Sequence, residues 1–251
     1  MQINIIYRYV MIIDYDKQLV FIANPKNATT SIEEALCKYY YKKYCIDNNV
    51  FTREQSFSNL LNEKMWVLRA VKMFSDNPKI PIEIICQSQT PLTKLHKHST
   101  FSEIREERNL ENFTFITIVR NPWEIILSWY LYYQKQLQTS QLDRYLYNFA
   151  GIDWIVGDFS NFINTCPDFI FQSQMAYTID EDKSVDHIIR YESLNEEWKD
   201  LTIRYFETEI KLPVKNSTKH GSYKEYYTDD LIEIVRERCK EDIDYFNYTF
   251  E

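Results

Sequence analysis

Two short apolar runs in this sequence each end in a turn and open straight into a helix signal, and that repetition most restricts the fold. Gln18–Ala23 (QLVFIA) is bounded by charged and turn residues and reads as a buried strand. Asn24–Thr29 follows as a loop, and Thr30–Tyr41 as a helix with small hydroxyl residues and Glu33–Glu34 in its first turn. Phe113–Val119 (FTFITIV) is the stronger β run and ends at Arg120. Asn121-Pro122 then starts a helix reaching about Leu137, with Asn as the cap and Pro at the first helical position.

The rest of the chain continues the alternation. Ile82–Cys86 and Val185–Tyr191 read as strands. Leu60–Phe74, Ser99–Arg108, Asn195–Phe206 and Thr228–Phe246 read as helices. Ser99 or Thr100 caps the second of these helices, with Glu103 at capping-box distance. Residues 138–180 show no clear period. Strands alternating with helices predict an α/β, P-loop-like domain with a central parallel sheet flanked by helices, and ligands at the carboxyl ends of its strands.

At 251 residues the chain suits a single domain, with 43–80 and 134–170 as candidate acceptor-binding insertions. The net charge of −8 argues against nucleic acid as a partner. The five cysteines are scattered, without a CxxC pair, and read as reduced thiols. Arg8, Asp14, Asp16 and Lys17 interrupt the apolar patches of Met1–Val20, so neither a membrane span nor a signal-peptide pattern is read there and a cytoplasmic setting is expected. The sequence does not disclose an oligomeric state.

Both strand-to-helix loops have the chemistry of anion sites. In the first, Pro25, Lys26, Asn27 and Ala28 precede Thr29, Thr30 and Ser31. The hydroxyls and N–H groups at a helix start are donors aimed at an anion, and Lys26 adds a mobile charge. The loop is not GxxxxGK[ST]: it has no Gly, and its Lys precedes the hydroxyl cluster. The bland reading is a plain capped turn. In the second loop, Arg120 stands at a strand end, where a guanidinium grips a phosphate bidentately, and Ser128 lies on the helix face shared with Asn121 and Glu124 or Ile125. The bland reading there is an Arg paired to a neighbouring carboxylate.

Together these loops resemble those of sulfotransferases that use 3′-phosphoadenosine-5′-phosphosulfate (PAPS), specifically the family of Golgi carbohydrate sulfotransferases and their soluble bacterial and viral relatives. PKNATTS is similar to that family's 5′-phosphosulfate loop PKxGTTS, and VRNPWEIILSWY to its 3′-phosphate motif RxPxxRxxSxY. Val185–Trp198 and Asn216–Tyr248 resemble the family too, so the likeness spans roughly residues 19–36, 94–133 and 170–248. There are two departures. Ala28 stands in place of the usual Gly, which carries strain if the backbone needs φ > 0, and Ile125 stands where the family often has Arg.

The resemblance implies PAPS as donor cosubstrate, no metal, and an acceptor hydroxyl, the commonest in the family being on a glycan. Lys26 would stabilise the leaving phosphate, and Arg120 and Ser128 would anchor the 3′-phosphate. The loop of Lys219, Gly221, Ser222 and Tyr223 would close over that phosphate and the adenine. An acceptor hydroxyl calls for a general base. KLHKHST supplies His98 as the first choice and His96 as the second, and Glu103, a capping-box residue, is a fallback. His187 reads as a core histidine. Gln172 and Gln174 read as acceptor-site or sheet-edge residues. Two alternatives stay open: a kinase-like phosphotransferase, which would want a Gly-rich loop and acidic Mg²⁺ ligands, and an inactive relative that only binds nucleotide or glycan.

Overall fold

The structure, a computed structural model, describes residues 10–47, 82–86, 95–96, 98–138, 153–213 and 221–251. The helix expected over Leu60–Phe74 lies outside the described residues. The chain divides into two compact units, residues 1–118 with 176–215, and residues 119–175 with 216–251.

The first unit is built on a sheet of β1 (Val10–Asp14), β2 (Leu19–Phe21), β3 (Ile82–Cys86), β4 (Thr114–Val119) and β7 (His187–Arg190), in the order β3-β1-β2-β4-β7. β2 runs parallel to β4, whereas β1 is antiparallel to both β2 and β3. Hence β2, β3 and β4 share one direction and β1 runs against them. β7 starts beside the start of β4: the Asp186 N–H donates to the Phe115 carbonyl (3.0 Å) and the Phe115 N–H to Asp186 Oδ2 (2.7 Å). A two-stranded hairpin, β5 (Ile179–Asp180) and β6 (Lys183–Ser184), precedes β7.

Strand side chains alternate between faces, and here both faces are covered. Ile12, Leu19, Phe21, Ile116 and Ile118 pack with Ile32, Leu36 and Tyr40 of α1 (Thr29–Asp47) and with Trp198 and Leu201 of α5 (Leu194–Phe206). Their neighbours Met11, Ile13, Val20, Ile22 and Phe115 pack with Phe101 and Ile104 of α2 (Phe101–Glu107). This two-sided burial is why the strands read as nearly unbroken apolar runs, and it bears out the α/β class with helices flanking a central sheet.

β1 lies in a stretch for which no strand was expected. Asp14 breaks its apolar pattern, yet is 2% exposed. It accepts from the Tyr40 hydroxyl (2.6 Å) and the Lys17 N–H (2.9 Å), so a charged residue closes a buried strand. Burial, followed by the Asp14 charge, holds the Tyr40 phenol well above its ordinary range, which keeps it a donor.

The second unit carries α3 (Pro122–Gln138), α4 (Phe159–Thr165), α6 (Asp229–Arg238) and α7 (Lys240–Phe246). α4 lies in the stretch that showed no period. The single helix expected over Thr228–Phe246 is in fact two, because Cys239 leaves helical geometry (φ −108°, ψ 21°) and restarts the chain as α7. Aromatic rings fill the interior: Tyr133 meets Trp154 edge-on (4.9 Å), and Phe159 meets Tyr227 (4.9 Å).

Candidate active site

The first loop leaves the carboxyl end of β2. The Ile22 N–H still pairs with the Ile116 carbonyl (2.8 Å), and then the chain turns. The Asn24 and Asn27 amides both donate to the Ile118 carbonyl, at 3.0 and 2.9 Å, and so staple the loop to the end of β4. Asn24 was not singled out in the sequence, because its partner is 94 residues away. Lys26 and Ala28 both lie in the left-handed region, with φ of 64° and 56°. Such turns aim successive N–H groups inward as an anion-binding nest. α1 begins at Thr29, so Thr29, Thr30 and Ser31 form its first residues and Glu33 falls in the second turn, where it is buried. The Ser31 N–H bonds back to the Ala28 carbonyl (2.9 Å), tightening the turn. This leaves the Thr29 and Thr30 N–H groups as the leading donors of the helix. The loop therefore presents donors of the kind that bind an anion.

Ala28 carries the strain its identity threatened, since a Cβ in the left-handed region costs about 1–2 kcal/mol. Ala28→Gly is expected to stabilise the protein by about 1 kcal/mol after the added unfolded-state entropy of Gly. A thermal melt would then shift up by about 2–4 °C. An unchanged or lowered melting temperature would count against the strain.

The imidazole of His98 stands at the base of this loop. Its Nδ1 lies 2.5 Å from the carbonyl of Ala23, the last apolar residue before the turn. A carbonyl only accepts, so Nδ1 carries the proton and the neutral ring keeps Nε2 as its basic nitrogen. His96 is set the other way. Its Nδ1 accepts the His98 N–H (3.2 Å), which leaves the proton of the neutral ring on Nε2. Ser99 Oγ in turn accepts the His96 N–H (3.0 Å). Glu103 is occupied in the expected capping box: its carboxylate accepts the Thr100 N–H (2.7 Å), and its own N–H donates to Thr100 Oγ1 (3.3 Å). His187 Nε2 pairs with the Tyr205 hydroxyl (2.6 Å), and the residue is half-buried on β7 where a core histidine was expected.

In the second unit, Arg120 is the first residue after β4. Asn121 caps α3 as expected, with its Oδ1 accepting the Trp123 N–H (3.0 Å). The Arg120 Nε donates to Glu124 Oε2 (3.0 Å), with the guanidinium side chain 12% exposed. The carboxylate pairing foreseen as the bland reading is thus present, and it engages one edge of the guanidinium. Ser128 is half-buried on α3. Ile125 is 9% exposed and packs into the core face of α3, so an Arg side chain at that position would start from apolar surroundings.

Gln174, expected at the acceptor site or the sheet edge, is 2% exposed and pairs beside the end of β4. Its side-chain amide pairs with the backbone of Arg120, and its own N–H donates to Asp242 Oδ2 (2.9 Å). Burial raises the Asp242 carboxyl above the ordinary Asp value, against the lowering effect of the hydrogen bonds it accepts. Of the C-terminal loop, Lys219 lies outside the described residues. Gly221 and Ser222 are exposed. A Cβ on Gly221 would stand 2.4 Å from Glu225 Oε2, so a side chain there displaces that carboxylate. Tyr223 is buried and its hydroxyl donates to the Glu251 carbonyl (2.8 Å), which ties the loop to the C-terminal residues.

Among the described residues, no helix is long and apolar enough to cross a membrane. No curated protein and no solved structure matches the chain. A family model described as the sulfotransferase family matches residues 9–249, nearly the whole sequence, and includes both strand-end loops. The chain belongs to the sulfotransferase family.

Proposed function

We propose that this protein transfers a sulfuryl group from PAPS to an acceptor hydroxyl, with a carbohydrate as the acceptor class. The observation that carries the reading is the coincidence at the end of β2. A loop with two left-handed residues and a hydroxyl-rich helix start sits beside an imidazole whose Nδ1 is held by Ala23. Kinase chemistry would want acidic metal ligands and glycines instead.

When bound, the donor supplies the sulfuryl group and a phosphate leaving group. The N–H groups of Thr29 and Thr30, with the hydroxyls of Thr29, Thr30 and Ser31, hold the 5′-phosphate. Pro25, Asn27 and Ala28 shape the turn. Lys26 meets the negative charge that grows on the leaving oxygen as its bond to sulfur breaks. His98 Nε2 takes the acceptor's proton as the new oxygen–sulfur bond forms. His96 positions the His98 backbone. Arg120 and Ser128 hold the 3′-phosphate and so set the register of the donor. Gly221 and Ser222 belong to the loop that closes on it, with Lys219 as its cation and Tyr223 as its anchor. The acceptor binds against 43–80 and 134–170.

Labelled sulfate from PAPS should appear on members of a glycan panel with the wild-type protein and without added magnesium. Arg120→Ala should weaken binding of adenosine 3′,5′-bisphosphate by about 10- to 100-fold in calorimetry, the loss of charge-assisted hydrogen bonds. Magnesium-dependent phosphate transfer from ATP, with no transfer from PAPS, would replace this reading with a phosphotransferase.

A further inference from the structure

β4 ends at Val119, so the peptide groups of Arg120 lose the regular strand pairing that precedes them. Backbone groups in such half-buried positions need other partners. Gln174 supplies both at once. Its Oε1 accepts the Arg120 N–H (2.8 Å) and its Nε2 donates to the Arg120 carbonyl (2.9 Å), as a neighbouring strand residue would.

The glutamine is itself held from behind. Asp242 of α7 accepts the Gln174 N–H, the Ser173 hydroxyl (2.5 Å) and the Met175 N–H (3.3 Å). The residue after Arg120 is tied as well, since Asn121 Nδ2 donates to the Thr249 carbonyl (3.0 Å). The point from which the Arg120 side chain departs is therefore held by a buried amide. An uncharged amide presents a donor and an acceptor together at any ordinary pH.

We infer that Gln174 is a positioning residue that fixes the backbone of Arg120 so that its guanidinium meets the donor's 3′-phosphate, an inference that rests on the donor site proposed above. A displaced guanidinium would keep its charge and lose its bidentate geometry.

The test uses the full-length protein and calorimetry with adenosine 3′,5′-bisphosphate. In Gln174→Glu an ionised carboxylate would face the Arg120 carbonyl, and binding should be about tenfold weaker than wild type at about pH 8. At this buried position desolvation raises a carboxyl above its ordinary range, so lowering the pH toward about 5 protonates it, restores a donor beside the acceptor and should shrink the ratio to wild type toward one. Gln174→Asn, with the same groups one methylene short, should be weakened at both pH values. In an Arg120→Ala background, Gln174→Glu should add no further loss.

Wild-type affinity of Gln174→Glu at the higher pH would overturn the inference. So would a Gln174→Glu deficit that does not change with pH, or an undiminished effect in the Arg120→Ala background. Wild-type affinity in Arg120→Ala alone would instead sink the donor-site reading. Should Gln174→Glu fail to fold at the higher pH by circular dichroism, Gln174→Asn alone and in the Arg120→Ala background decides the matter.

Discussion

Replacing Lys26 by Ala should leave a folded protein that still binds the desulfated nucleotide and transfers sulfate at least about 10³-fold more slowly than wild type. The backbone explains why the fold survives. Position 26 is left-handed with φ 64°, and both Lys and Ala carry a Cβ there, so the local conformational cost is the same in both proteins. The side chain is half-exposed, and truncations of this kind usually shift stability by less than about 0.5 kcal/mol. The nucleotide keeps most of its partners, because the leading N–H groups of α1 and the three hydroxyls do not depend on Lys26. What disappears is a cation needed mainly as the bond to the leaving oxygen stretches, a loss that falls on the transition state more than on the bound ground state. Lys26→Arg separates charge from proton transfer: the guanidinium keeps the charge and cannot give up a proton. Single-turnover rates of the three proteins, with nucleotide affinity measured alongside, make the comparison. A Lys26→Ala rate within a few-fold of wild type would remove Lys26 from the chemistry.

Some of this molecule was legible before any coordinates, and the boundary follows physical lines. β2 and β4 could be read because residues on both of their faces are buried, so Leu19–Phe21 and Thr114–Val119 carry no polar interruption on the core side apart from Thr117. The caps at Thr100 and Asn121 could be read because their partners lie within three residues. β1 could not, since Asp14 looks like a strand breaker until Tyr40 and Lys17 are seen to satisfy it. The break at Cys239 was hidden because the amphipathic pattern runs through it unaltered. The partner of Gln174 was hidden because it is 54 residues away, and the stretch around Gln172 and Gln174 carries no local mark of it. Ala28 was a conditional reading, and only its φ of 56° turned the condition into strain.

His98 and His96 show the same limit in the chemistry, and the structure turns their order into a sharp expectation. Two residues apart in one loop, they are ranked in the sequence only by position and likeness, with His98 first and His96 second. Their hydrogen bonds are opposite: Nδ1 of His98 meets an acceptor, the Ala23 carbonyl, and Nδ1 of His96 meets a donor, the His98 N–H. In the neutral state only His98 then offers an unprotonated Nε2, so His98→Ala should lower kcat by about 10²–10⁴-fold while sparing nucleotide affinity. His98→Asn should do the same: its amide can still donate to Ala23, and it has no basic nitrogen to give. The wild-type rate should fall on the acid side, where an imidazole is protonated, and that limb should be missing from the residual activity of both variants. His96→Ala should cost about tenfold or less, through a loosened loop, and should keep the acid limb. If His96→Ala instead abolished the limb and His98→Asn retained it, the two tautomers would have to be exchanged, and the proton would leave through the other ring.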